Sequence, residues 1–122
     1  MALFAIEPIT ACALALASLA GPAQPASFDL TTTNTKNETQ QVSLTCDPAG
    51  GTHPKSGEAC AAIARANGDF DKLPVRRQAC TLEYSPITAT AKGNWRGKAV
   101  DFTREYPNKC AADAESSGVF KF

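Results

Sequence analysis

Apolar and polar residues alternate in two stretches near the start of the chain, residues 27–35 and Thr39–Cys46, as they do in half-buried β-strands. Polar turn-forming residues separate the two stretches, which predicts an antiparallel hairpin. The same alternation returns at residues 87–92 and 98–106, on either side of a glycine-containing turn that also carries Trp95. These stretches predict a second hairpin, with the tryptophan packed over it.

The chain between and after the hairpins has a different pattern. Residues 47–55 are rich in proline and glycine, which predicts a loop. Apolar residues at helical spacing over 57–67 predict a helix, with Ser56 as its N-cap and an Asn-Gly pair at its end. Residues 111–116 suit one or two helical turns, and residues 118–122 suit a short fifth strand. The sum is an α+β domain, a five-stranded antiparallel sheet with one main and one short helix.

The N-terminal region differs in composition from the rest. Residues 11–20 form an uncharged apolar run that is too short to span a bilayer and has the length of a signal-peptide centre. Small residues at Ala20, Ala23 and Ala26 offer cleavage sites, although no Lys or Arg precedes the run. We therefore expect residues 1–26 to be a signal peptide or a disordered leader, residues 27–122 to form one domain, and the protein to be secreted.

Four cysteines follow the leader, and an even number in a short secreted chain indicates two disulfides. Three pairings are open, and the sequential one, Cys46–Cys60 with Cys80–Cys110, is favoured because it closes the shortest loops. A zinc site is the alternative. It is not supported, since the chain has no Cys-x-x-Cys motif and His53 is its only histidine. We expect no metal and no cofactor.

The net charge and a few individual residues limit the functional classes that the sequence allows. The 12 basic and 12 acidic residues cancel, so no basic surface for nucleic acid or an anionic membrane is predicted. His53 has no evident nucleophile or metal partner, which argues against an enzyme and favours a loop histidine held by local hydrogen bonds. The adjacent Arg76 and Arg77 are predicted to be a solvated charge pair.

Residues 75–87 have neither a helical nor a strand period. In this stretch Cys80 lies two residues before Leu82, and Pro86 closes the segment. A loop held by a disulfide on one side and stiffened by proline on the other is suited to presenting one side chain to a partner. Our hypothesis is that the partner is an extracellular serine protease and that the protein inhibits it.

Several motifs along the chain resemble the Streptomyces subtilisin inhibitor family. They are CDPAGGTHP from Cys46, GEAC from Gly57, GNWRGK from Gly93, NKC from Asn108 and SGVFKF from Ser117. The resemblance covers essentially all of residues 28–122. It implies a secreted bacterial protein with a five-stranded antiparallel sheet, two helices, the sequential disulfides and a homodimer packed through its sheets.

The resemblance also implies a reactive loop that a protease would bind as a substrate. Its residues would be Ala79, Cys80, Thr81, Leu82, Glu83, Tyr84, Ser85 and Pro86. Leu82 would be the specificity residue, Leu82–Glu83 the scissile bond, and Asn108 and Cys110 the support behind the loop.

Family members often have proline where this chain has Thr81. Residues 79–84 also resemble the loop of ovomucoid-type Kazal inhibitors, which suggests that the Thr81 hydroxyl bonds to the Glu83 carboxylate. A leucine at the specificity position predicts subtilisin-like and chymotrypsin-like targets rather than trypsin-like ones, because the trypsin pocket favours a cation. The alternative function is a secreted binding or cross-linking protein that retains the fold without inhibiting.

Overall fold

The structure, a computed structural model, describes residues 25–122. The apolar run at residues 11–20 and the predicted leader up to residue 24 lie outside this range. Within the described residues, the first regular element begins at Ala26, one residue before the predicted start of the domain. Within residues 25–122, no helix is both long enough and apolar enough to cross a membrane.

Five antiparallel strands form a single sheet. They are β1 (Ala26–Asn34), β2 (Thr39–Cys46), β3 (Gly50–Gly51), β4 (Ile87–Trp95) and β5 (Lys98–Tyr106). The spatial order is β3-β2-β1-β4-β5, so the two hairpins meet where β1 pairs with β4. Both predicted hairpins are confirmed, and β4 continues three residues further than its alternation indicated.

Two helices pack on one face of this sheet: α1 (Ser56–Arg65) and α2 (Lys109–Ser116). A short 3₁₀ turn, Phe70–Lys72, lies between α1 and the loop. Alternate strand residues and the inner faces of the helices form the core, which includes Phe28, Leu30, Leu44, Ile63, Ala89, Phe102, Tyr106 and Phe120. The predicted α+β architecture with a main and a short helix is confirmed.

The fifth strand is not where the sequence placed it. Residues 117–120 form a turn and residues 121–122 have no regular structure, because Ser117 and Gly118 both adopt left-handed conformations after α2 and redirect the chain over the core. The fifth strand is the two-residue β3, within the predicted loop 47–55. Only glycine fits at Gly51, since a Cβ there would meet the Ser43 carbonyl.

The predicted N-cap is also wrong. The Lys55 carbonyl accepts the first helical hydrogen bond, so α1 begins one residue earlier and no side chain caps it. His53 is buried, with Nε2 2.8 Å from the Val119 carbonyl and Nδ1 accepting from the Lys55 amide at 2.9 Å. The bond to Lys55 is local, as predicted, whereas the bond to Val119 ties His53 to the C-terminal segment. Trp95 is buried beside Phe28, which confirms its packing role.

The two disulfides have the predicted sequential pairing. Cys46–Cys60 joins the end of β2 to α1, with a Cα–Cα distance of 5.7 Å. Cys80–Cys110 joins the long loop to α2, with a Cα–Cα distance of 5.6 Å. Both distances are ordinary for disulfides, and the second bond determines how the loop is held.

Candidate functional site

The segment between the 3₁₀ turn and β4 has no regular secondary structure. The Arg76 amide donates to the Ala114 carbonyl at 2.7 Å, and the Ser85 amide donates to the Pro107 carbonyl at 2.8 Å. Between these two points the described structure contains no backbone–backbone hydrogen bond. We call residues 76–81 the N-terminal limb and residues 83–86 the C-terminal limb. Side chains and a disulfide must hold the limbs in place.

The tip of this loop carries the most exposed large apolar side chains among the described residues. Leu82 is 99% exposed, Tyr84 is 74% exposed and Val75, at the base, is 67% exposed. Leaving a leucine fully in water forgoes about 1.5–3 kcal/mol of burial free energy. A tip of this kind is typical of a surface that is covered when a partner binds.

Asn108 lies behind the tip and is only 7% exposed. Its Nδ2 donates to the Glu83 carbonyl at 2.7 Å and to the Thr81 carbonyl at 3.3 Å. Its Oδ1 accepts from the Ala111 amide at 2.8 Å, which makes it the N-cap of α2. One amide group therefore fixes the residues on both sides of Leu82 to the start of a helix.

Helix α2 also holds the N-terminal limb. The carboxylate of Asp113 accepts from Arg76 Nη1 at 3.1 Å and from Gln78 Nε2 at 3.3 Å. Arg76 is therefore not the solvated charge that the sequence predicted, and only its neighbour Arg77 is exposed. Sequence reasoning missed Asp113 because it lies 37 residues after its arginine partner and no local pattern links the two.

The structure brings the other predicted site residues together with one difference. Cys80 and Cys110 are bonded, Ser85 and Pro86 lead into β4, and Asn108 faces the loop. The suggested bond between the Thr81 hydroxyl and the Glu83 carboxylate is not among the side-chain hydrogen bonds of residues 25–122. In the free molecule, the Asn108 amide joins these two residues through their carbonyls instead.

Within the described part of the chain, no group of three or more His, Cys, Asp or Glu residues is placed to hold a metal ion. Burial raises the pKa of the Tyr106 phenol, which lies at the end of β5 opposite Ile87, and the nearby Arg104 charge partly opposes this. The geometry instead offers a backbone without internal backbone hydrogen bonds over residues 77–84, an apolar tip, and support from the Asn108 amide and the disulfide.

These features define a class of protein: a small α+β domain with two disulfides that presents one loop supported from behind. Residues 24–108 match the family model described as subtilisin inhibitor-like. The chain therefore belongs to the subtilisin inhibitor-like family, whose members are protease inhibitors and not enzymes.

Individual relatives agree with this assignment. The chain is 44% identical over 84 residues to a subtilase-type protease inhibitor of Streptomyces fradiae, covering 66% of this chain and 59% of that protein's length. It is 45% identical over 83 residues to subtilisin inhibitor-like protein 2 of Streptomyces rochei, covering 66% of this chain and 74% of that protein.

A solved structure has a similar fold. It is Streptomyces caespitosus sermetstatin, crystallised in complex with Bacillus licheniformis subtilisin. The TM-score is 0.64 at 26% identity, and the match covers 81% of this chain and all of that one.

Proposed function

We propose that this protein is a secreted inhibitor of subtilisin-like serine proteases, and that it binds them as a substrate would, through the Leu82–Glu83 bond. The proposal rests on a difference between the side chain and the backbone at the tip of the loop. Leu82 is 99% exposed, yet the carbonyls on both sides of it are bound by a buried amide. A side chain that is free to enter a pocket thus stands on a backbone that is already ordered.

Preordering contributes to affinity. A flexible peptide must lose conformational freedom when it binds, at a cost of about 1–2 kcal/mol for each residue whose backbone becomes fixed. The disulfide, the Asn108 amide and the Ser85 amide bond impose most of that order before binding. The loop would then pair as an extended strand with the substrate cleft of the protease.

The same contacts account for slow release of the cleaved product. The enzyme serine attacks the Leu82 carbonyl, and the amine of Glu83 is the leaving group. After cleavage, Asn108 still holds Thr81 on one side and Glu83 on the other, and the Cys80–Cys110 disulfide joins the two fragments. Because the amine stays close to the acyl group, re-formation of the peptide bond competes with hydrolysis.

Leu82 also sets the expected range of targets. A leucine fills the apolar primary pockets of subtilisin-like and chymotrypsin-like enzymes, whereas the trypsin pocket contains a carboxylate that favours a cation. We therefore expect stoichiometric inhibition of subtilisin, inhibition of chymotrypsin, and little effect on trypsin.

A titration tests the proposal. Residual subtilisin activity, measured against the molar ratio of added protein, should fall linearly to near zero at one loop per enzyme. The Leu82→Lys variant should gain trypsin inhibition and lose most subtilisin inhibition, while Val75→Lys, at the loop base, should behave as the wild type. Steady digestion of the wild-type protein would contradict the proposal and favour a binding protein that retains the inhibitor fold.

Secretion and a homodimer belong to the same proposal. Both are implied by the family, and the sheet has a face that neither helix covers, with the threonines Thr31, Thr90 and Thr103 side by side on adjacent strands. Mass spectrometry of the culture medium tests export and locates the mature N-terminus. Sedimentation equilibrium tests the dimer, and a monomer mass at micromolar concentration would contradict it.

A further inference from the structure

A single buried carboxylate ties the N-terminal limb of the loop to α2. We propose that Asp113 is a positioning residue, which holds this limb in the shape that a protease binds and cleaves only slowly. The inference rests on the proposed inhibitory function and deepens it, because Asp113 lies behind the loop, on the helix side, and acts through Arg76 and Gln78.

The contacts of Asp113 point toward the loop. Its side chain is 10% exposed, and its two oxygens serve different residues of the limb. Oδ1 accepts from Arg76 Nη1 at 3.1 Å, and Oδ2 accepts from Gln78 Nε2 at 3.3 Å. Lys121 Nζ lies 3.8 Å from Oδ2 and adds a second positive charge. A carboxylate this buried is stable only when cations and donors surround it, and the limb supplies two of these three partners.

The surroundings of Arg76 are shaped for this role. Its Nη2 lies 3.6 Å from Glu58 in the first turn of α1, so the guanidinium bridges the two helices. A Cβ at Gly118 would lie 2.7 Å from Arg76 Nη2. The lack of a side chain at Gly118 therefore leaves room for the guanidinium. The Arg76 amide also donates to the Ala114 carbonyl. The base of the limb is therefore fixed at both its backbone and its side chain.

The rest of the limb depends on side chains. No backbone–backbone hydrogen bond forms between Arg76 and Ser85 in the described structure, and the Asn108 bond to Thr81, at 3.3 Å, is the longer of its two loop contacts. Between that contact and Arg76, the limb is held by the Cys80 disulfide and by the Gln78 amide on Asp113. Loss of Asp113 would leave only the disulfide and a weak 3.6 Å contact between Gln78 Nε2 and the Cys110 sulfur over this stretch.

The first test needs no protease. Backbone ¹⁵N order parameters are measured for residues 77–86 in the wild type, in Asp113→Asn and in Gln78→Ala, with Arg77→Ala as the matched control. Both test variants should lower the order parameters of residues 77–81 and leave residues 84–86 unchanged, and the control should match the wild type. Gln78 is exposed, so its variant tests the idea even if Asp113→Asn does not fold. Unchanged order parameters in Gln78→Ala and in any folded Asp113→Asn would overturn the proposal.

The second test uses subtilisin. The rate of cleavage at Leu82–Glu83 should rise about tenfold in Asp113→Asn, as expected for loss of a charge-assisted hydrogen bond that orders the limb. If Asp113→Asn loosens the limb but leaves the cleavage rate at Leu82–Glu83 unchanged, the positioning role is overturned. It is also overturned if the variant lowers the melting temperature and changes neither the limb nor the rate. If the limb loosens as predicted but wild-type protein is merely digested, the geometric claim stands and the proposed function fails.

Discussion

Asn108 has two roles that a pair of substitutions can separate. In Asn108→Ser the hydroxyl can still accept from the Ala111 amide and cap α2, since serine is a good N-cap, but it is too short to reach the loop. In Asn108→Ala both roles are lost. The loop contacts are one short bond of 2.7 Å and one long bond of 3.3 Å. At about 0.5–1.5 kcal/mol for a hydrogen bond, and with the long bond counted at the low end of that range, the two together are worth about 1–2 kcal/mol.

Both variants should therefore bind subtilisin about 5–30-fold more weakly and be cleaved faster at Leu82–Glu83, by equal factors. Their stabilities should differ, because loss of the cap costs the alanine variant about a further 1 kcal/mol of unfolding free energy. Inhibition kinetics and urea unfolding measure the two effects separately. If Asn108→Ser is cleaved as slowly as the wild type, the amide does not brace the loop and our reasoning is wrong.

Two further predictions concern the core. Burial raises the pKa of Tyr106 above its ordinary value of 10.0, so the folded protein keeps that proton longer than the unfolded chain does. Its contribution to stability is complete below pH 10 and is lost as the pH rises through the folded-state pKa, by up to about 1.4 kcal/mol per pH unit. Urea unfolding as a function of pH should show this loss in the wild type and in Tyr84→Phe but not in Tyr106→Phe, and an equal loss in all three would contradict it. Gly68→Ala should lower the unfolding free energy by about 1–3 kcal/mol, because the residue is left-handed and its Cβ would meet the Trp95 ring. Gly57→Ala, in α1 with open space at its Cβ, should instead raise it by about 0.5–1 kcal/mol, and thermal melts that show the same sign for both would refute this.

Local patterns were sufficient to predict most of the fold. Strands β1, β2, β4 and β5 bury one face each, so their period of two is visible in the sequence. Strand β3 has no such signal, since it consists of two glycines that pair with Leu44 and Thr45, and Gly51 can approach the Ser43 carbonyl closely because it has no side chain. The C-terminal residues look like a strand because they are apolar. The left-handed residues before them turn the chain so that Val119 and Phe120 are both buried.

The candidate site was predictable only in part. The position of the loop and the pairing of Cys80 with Cys110 follow from cysteine spacing and from the family resemblance. The contacts that brace the loop depend on residues far apart in sequence, such as Arg76 with Asp113, so no periodicity predicts them. In the sequence, two adjacent arginines are expected to be solvated. In the fold, one of them, Arg76, pairs with the buried carboxylate of Asp113.

In the proposed function, one bond, Leu82–Glu83, is presented to the protease, and its two ends stay close together after cleavage. The most direct measurement is mass spectrometry of the protein after incubation with a trace of subtilisin. We expect a partial, stable gain of one water, cleavage at Leu82–Glu83 alone, and two fragments that separate only after the Cys80–Cys110 disulfide is reduced. Cleavage at another bond, or progressive degradation to small peptides, would contradict the account.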